Sequence, residues 1–294
     1  MNDLNKQIES LRKTIFKIYE NRADSDSTNQ DDSFKLFVKA ALNCQLQLFI
    51  ARYKRYGLSE AETVQCIVIR HQIFDITQKQ MDDCDTSSLT NALLQYVEIV
   101  ASNPPYTDVL SFLLESIMLA GKRANRLEQF LTPPWLADCL AELMPTQNTD
   151  KPFKIGEICC GAGTILLAPL ALMMSRNPRH AKNATVIAND IDPIMCCTTA
   201  LQVITNTVVH DVDLCEFTQH CSDVITEWTE GKLYPIRFKT PAKVFEARER
   251  IRQKKLRECG YYDLVDEPVN VKESPLIEAR AATASELVGA GSSR

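Results

Sequence analysis

Nine glycines are spread over 294 residues, and three of them, Gly156, Gly161 and Gly163, fall within eight. They belong to Phe153-Lys-Ile-Gly-Glu-Ile-Cys-Cys-Gly-Ala-Gly-Thr-Ile-Leu-Leu167. An apolar run with β character enters a Gly-Ala-Gly turn, and a helical run, Thr164–Met174, leaves it. Glycine lacks a Cβ, so it lets the chain bend sharply and lets another group approach the main chain closely. A second β-type run follows at Thr185–Ala188, then a helical stretch over Pro193–Val208 and a third run at Leu214–Thr218. Strand, glycine turn, helix, strand is the pattern of a βαβ unit with a parallel sheet. The predicted fold class is therefore α/β.

Such a turn offers a ligand the unpaired N–H groups of a helix start. Dinucleotide-binding folds use G-x-G-x-x-G and seat a pyrophosphate there. Leu166 stands where the third glycine belongs, so that fingerprint is broken. Glu157, at the strand end of Glu157–Thr164, suits a ligand with a cationic group. S-adenosylmethionine carries an amine, a carboxylate and a sulfonium but no phosphate, and it is the expected cofactor. An ordinary tight βα turn is the structural alternative. The second run ends in an acid, Val186-Ile-Ala-Asn-Asp190, 29 positions after Gly161. A carboxylate at a strand tip can accept two hydrogen bonds from ribose hydroxyls. Asp192-Pro193 reads as the N-cap and first-turn proline of the next helix. Asp223, in His220-Cys-Ser-Asp-Val-Ile225, is either a strand-end acid that receives an adenine amino group or a surface-loop acid.

Upstream, Leu4, Ile8, Leu11, Ile15 and Ile18 recur at helical spacing, as do apolar residues over 34–56 and 59–78. Ser59 and Glu62 have the form of a capping box. Asn21–Ser33 reads as a polar linker and Asp82–Ser88 as a break; Thr107–Leu119 reads as a helix. Residues 1–120 form a helical N-terminal region, 121–270 a cofactor-binding domain, and 271–294, rich in small polar residues, a disordered tail. Pro241–Cys259 reads as a helix with Thr240 as N-cap. The net charge is −5, yet ten Lys/Arg against two Glu over 232–257 give that segment +8. Clustered positive charge can neutralise phosphates, which makes DNA the expected partner; a solvated helix face is the alternative. The eleven cysteines show no CxxC pair or zinc spacing, so reduced, mostly buried thiols are expected and no metal. Without a signal-peptide h-region or an uninterrupted apolar run of ~18–20 residues, the chain reads as cytoplasmic.

Three motifs in order carry a family resemblance: Gln129-Phe130-Leu131-Thr132-Pro133, then Glu157-Ile-Cys-Cys-Gly-Ala-Gly163, then Asn189-Asp190-Ile-Asp192-Pro193. Together they resemble the cofactor half of adenine-N6 DNA methyltransferases. The likeness is strongest to type I restriction modification subunits and their small plasmid and phage relatives, and it covers roughly 105–225. It implies a Rossmann-like S-adenosylmethionine-dependent methyltransferase fold. An F-x-TP segment would lie over the methionine end, a D-P-x-C-G-S-G turn would follow, and then an acid on the ribose. The implied cofactor residues are Phe130, Thr132, Pro133, Glu157, Cys159, Gly161, Gly163, Asp190 and Asp223. Glu157, Ile158 and Ala162 depart from the family's Asp, Pro and Ser. Thr132 is expected to cap the helix that starts at Pro133 and Pro134.

The family's catalytic [ND]-P-P-[FYW] segment is missing after Asp223. Tyr262-Asp-Leu-Val-Asp-Glu-Pro268 has the run-up of such a strand without its Pro-Pro-aromatic end. A literal match, Asn103-Pro104-Pro105-Tyr106, precedes the F-x-TP segment by only 23 residues, too few for the crossovers that a permuted order needs. It reads as a proline-rich turn. The expected activity is methyl transfer to adenine N6 in DNA, with no catalytic residue assigned. The alternative is an inactive methyltransferase-like protein that binds S-adenosylmethionine, DNA or a protein partner, a second copy included, in a restriction or anti-restriction context.

Overall fold

The computed structural model describes residues 3–70, 73–120, 132–144, 151–227 and 235–259. The chain divides into two units, Met1–Thr240 and Pro241–Arg294. The first begins with α1 (Asp3–Phe16), α2 (Asp26–Arg55), α3 (Glu60–Cys66), β1 (Ile67–Ile69), α4 (Gln78–Asp82), α5 (Thr86–Ser102), α6 (Leu110–Ala120) and α7 (Pro134–Leu143). Then come β2 (Phe153–Glu157), α8 (Thr164–Arg176), β3 (Ala184–Asp190), α9 (Pro193–Val209), β4 (Glu216–Cys221) and β5 (Ile236–Lys239). The second unit contributes α10 (Ala242–Glu258). The expected tail over 271–294 lies outside the described residues, as does Tyr262–Pro268.

The five strands form one mixed sheet in the order β1-β5-β4-β3-β2. The expected parallel core is present: β2 pairs with β3 and β3 with β4, both parallel. Two antiparallel strands extend it beyond β4, β5 on β4 and β1 on β5. The register sets Glu157 beside Ala188 and Asp190 beside Cys221, so the carboxyl ends of three strands lie together.

Several local differences from the sequence reading have clear causes. The linker expected over Asn21–Ser33 is half helix, because Ser25 caps α2 by accepting from Thr28 N and buried Asn29 donates to Arg22 O and Asp24 O. The Ser59–Glu62 capping box forms, but its helix stops at Cys66. Ile67-Val-Ile69 leaves it as β1, since β-branched side chains favour a pleated strand with a partner. Thr240 does not cap α10. Its hydroxyl donates to Leu214 O at 2.6 Å and meets the buried Tyr53 hydroxyl at 2.7 Å.

The core gathers around α9, where Met195 through Thr207 are all buried. A helix buried all round is a central element; here it packs against α2, α5, β3 and β4. Phe49 of α2 stacks on Phe238, which in turn meets Phe217, with centroids 4.7 and 5.5 Å apart. By length and composition α2 could cross a membrane, but 56% of its apolar window is buried inside the protein, so here it serves as a core helix. Its Arg52 is 3% exposed and donates bidentately to fully buried Asp213, both bonds 2.7 Å, and also to Asp211. Burial alone would lower the guanidinium pKa; the Asp213 bonds together with the charges of Asp213, Tyr56 and Asp211 outweigh it and raise the value.

Candidate functional site

The site forms where β2 and β3 end. From Glu157 the chain turns through Ile158-Cys159-Cys160 into Gly161-Ala162-Gly163, and α8 starts at Thr164. Gly161 has φ +52° and Gly163 φ +102°, the left-handed region that glycine enters without penalty. A Cβ on Gly163 would stand 3.2 Å from Thr199 Oγ1, whereas one on Gly161 would meet nothing within 4 Å among the described residues. Among the described residues, the Gly161 backbone therefore faces open space that another group can enter.

Side chains from outside the turn hold its backbone. Asp190 Oδ2 accepts from Gly161 N at 2.8 Å, while its Oδ1 accepts from Asp192 N at 2.9 Å. One carboxylate thus ties the glycine turn to the start of α9. Thr199 Oγ1 donates to Gly161 O at 2.8 Å and Gln202 Nε2 to Ala162 O at 2.9 Å. Asp192 caps α9 by accepting from Ile194 N, as its Asp-Pro pattern predicts.

Asn189, which the sequence reading does not single out, joins the three strand ends. It is 1% exposed. Its Nδ2 donates to Ile158 O and Ser222 O, its Oδ1 accepts from Ser222 Oγ, and its carbonyl accepts from Cys160 N at 2.8 Å. An amide with two donors and an acceptor can brace loops on both sides of one strand. Its neighbour in sequence, Asp190, stands out as a charge; Asn189 has no motif of its own.

The other expected residues distribute unevenly. Glu157 lies at the β2 tip and accepts from Cys159 N at 3.2 Å; the Cys159 side chain is exposed. Asp223 lies two residues past β4, and its carboxylate accepts from Ile225 N at 2.8 Å, a bond that lowers its pKa. It follows a strand, and it caps a turn. Thr132 and Pro133 lie at the start of α7, but Pro133 takes the cap position and Thr132 caps nothing. Phe130 is outside the described residues. Ile158 and Ile191, each directly after a strand-end acid, are 51% and 70% exposed. Apolar side chains left open beside two acids mark a surface suited to an apolar ring with polar edges.

Asn103–Tyr106 does not join these tips. Asn103 Nδ2 donates to Ile99 O, the Tyr106 backbone N donates to Asn206 Oδ1 at 2.6 Å, and the Tyr106 ring is 1% exposed. The segment is a turn packed on α9, as its prolines suggest, and its aromatic face is closed to a base.

The cysteines are less buried than expected: three are buried, four half-buried and four exposed, because several lie on helix and loop surfaces. Burial pushes Cys160, beneath the turn, up to about 12, so it remains a neutral thiol. In α10 the basic side chains include Arg252, paired with Glu249, and Lys254, 3.8 Å from Glu258. Lys232 is outside the described residues.

No protein-family model and no curated protein matches the chain. Among solved structures it is similar to the type I restriction-modification system methyltransferase subunit from Streptococcus thermophilus, with 11% identity and a TM-score of 0.38. The similarity covers 76% of this chain and 59% of that one, so the chain spans little more than half the length of its structural neighbour.

Proposed function

We propose that the chain binds S-adenosylmethionine across the carboxyl ends of β2, β3 and β4. In this reading those strands are the cofactor half of a Rossmann-like methyltransferase fold, and the reaction served is methyl transfer to adenine N6 in DNA. One observation carries it: the Asp190 carboxylate stands at the rim of the glycine turn with an oxygen on Gly161 N, and at Gly161 that turn faces open space among the described residues. Each carboxylate oxygen has a second lone pair, so Asp190 can hold the turn and still accept from ribose hydroxyls. Glu157 would receive the cationic amino group, and Ile158 and Ile191 would cover the adenine. Bound there, the cofactor would supply an electrophilic methyl group; the chain's own residues bind and orient it. The basic helix α10 would meet DNA phosphates.

The burial of Tyr106 favours a second reading, in which the chain binds the cofactor without transferring the methyl group by itself. Calorimetric titration with S-adenosylmethionine and S-adenosylhomocysteine tests the shared part: no heat from either ends both readings. Tritiated S-adenosylmethionine with unmethylated DNA separates them, since incorporation requires the first.

A further inference from the structure

Between Lys151 and Lys182 the sequence carries five Lys or Arg, at 151, 154, 176, 179 and 182, and one acid, Glu157. The sheet sorts them by sign. Glu157 ends β2 at the candidate site, whereas the five cations belong to the other end of the same strands. β2 and β3 pair in parallel, with Phe153 beside Ala184 and Lys154 beside Thr185. Lys151 and Lys182 each lie two residues ahead of those aligned starts. Arg176 closes α8. Arg179 and Lys182 stand on the 3-10 helix Pro178–Asn183, where a spacing of three places them on one side. Lys151, Lys154 and Arg179 are exposed, and Lys182 is half-buried.

Among the described residues, the acids at this end are paired. Glu142 takes Arg176 at 2.6 Å, Glu216 takes Arg237 at 2.7 Å, and Asp211 and Asp213 take Arg52. Lys151, Lys154 and Lys182 are in no ion pair among the described residues. The negative end of a helix accounts for Arg176. It does not account for Lys151 or Lys154, which lie ahead of β2 and within it.

We infer that the amino ends of β2 and β3 form a DNA-binding surface of their own, which anchors the chain on the phosphates of a duplex. Clustered cations attract a polyanion and release its counterions on contact. At the opposite ends of the strands stand Glu157, Asp190 and Asp192, and like charge turns phosphates away from them. Single strands are held by stacking on aromatic faces, and none of the five side chains is aromatic, so a duplex fits better. A protein partner needs apolar or aromatic anchors, which the five also lack. β3, seven residues long, separates the two ends by about 20 Å. DNA on this surface therefore tethers the chain and presents no base to Gly161. The inference rests on charge and placement, not on S-adenosylmethionine binding or on α10.

The test follows the fluorescence anisotropy of a labelled DNA duplex of arbitrary sequence with the full-length protein over a series of KCl concentrations. Lys151→Gln, Lys154→Gln and Lys182→Gln are combined in one variant, and Lys254→Gln, Lys255→Gln and Arg257→Gln in another. The first variant is expected to bind more weakly and to lose up to about 3 from the salt slope. The second should keep that part of the slope, and the two losses should add. The urea midpoint of the first variant should stay native, since surface side chains away from packing change stability little. Its S-adenosylmethionine titration should match that of the native protein, so a failure of the proposed cofactor site shows separately. An unchanged slope and affinity in the first variant would overturn the inference. So would polyglutamate displacing the labelled duplex as well as unlabelled duplex does, which would make the partner an acidic protein. A labelled single strand that binds as tightly as the duplex would overturn it too.

Discussion

Asp190→Asn perturbs the glycine turn with the least change of shape. In the native chain both carboxylate oxygens accept from backbone N–H groups, Gly161 at 2.8 Å and Asp192 at 2.9 Å. An amide has one acceptor oxygen. Whichever way the substituted amide turns, its NH2 faces one of those donors, and one bond is lost. A hydrogen bond to a charged acceptor is worth ~1.5–3 kcal/mol, so stability should fall by an amount of that order. The charge that would accept from ribose hydroxyls goes as well, which should weaken S-adenosylmethionine binding about ten- to a hundredfold. Urea denaturation and calorimetric titration on the same protein read the two effects separately. Asp192→Asn is the control: Asn caps a helix as well as Asp does, so both readouts should stay near native. Lower stability at Asp190→Asn with an unchanged dissociation constant would leave Asp190 a purely structural staple. Unchanged stability would refute the two-oxygen geometry itself.

Four further outcomes are expected. Arg52→Ala takes the guanidinium away from the buried Asp213 carboxylate and should cost about 3–5 kcal/mol in chemical denaturation. Gly163→Ala combines φ +102° with a Cβ 3.2 Å from Thr199 Oγ1 and should destabilise, by roughly 1–2 kcal/mol for the left-handed backbone alone; Gly156→Ala, with nothing within 4 Å of the new Cβ, should be mild by comparison. Tyr106→Ala should lower stability by ~3–5 kcal/mol, as loss of a buried ring does, while any methyl transfer follows the folded fraction; loss of transfer from a fully folded variant would make Asn103–Tyr106 catalytic after all. Neutralising Lys254, Lys255 and Arg257 together should weaken DNA binding and reduce the salt slope by up to about 3; an unchanged slope makes the basic segment a solvated face.

The legible parts of the fold are those encoded locally. The strand–glycine–helix pattern at 153–174 and the Asp192-Pro193 cap are written in adjacent residues, and both form where expected. What escapes depends on partners far along the chain. Ile67–Ile69 becomes a strand because Ile236–Lys239 lies beside it, 169 residues on from Ile67 to Ile236. Those four residues, Ile-Arg-Phe-Lys, alternate but are too short to stand out. The same holds at the site. Asp190 is visible as a charge at a strand end, whereas Asn189 gains its role from carbonyls at positions 158 and 222. Thr132 and Thr240 are both expected as caps from type and position. Pro133 displaces the first, and the second spends its hydroxyl on Leu214 O and Tyr53.

The clearest consequence concerns Asn103–Tyr106. Thr199, Gln202 and Asn206 recur at spacings of three and four on α9, so they share one face of it. All three are essentially fully buried. Thr199 holds Gly161 O, and Asn206 holds the Tyr106 N–H. Between them Gln202 satisfies its whole amide: its oxygen accepts from Val109 N and Leu110 N, and its nitrogen donates to Asp108 Oδ1 and Ala162 O. The chain after Tyr106 and the glycine turn are thus anchored to a single buried polar stripe. Thr164 adds a bond from the first residue of α8 to Ser111 Oγ at 2.8 Å. Unpaired polar groups at such depth cost ~1–3 kcal/mol each, so the stripe holds only while both loops stay seated. Moving the Tyr106 backbone to swing its ring out would leave Asn206 Oδ1 without the Tyr106 N–H, at the buried face that also holds the turn through Gln202. The Asn-Pro-Pro-Tyr sequence is therefore committed to placing α6 against the glycine turn.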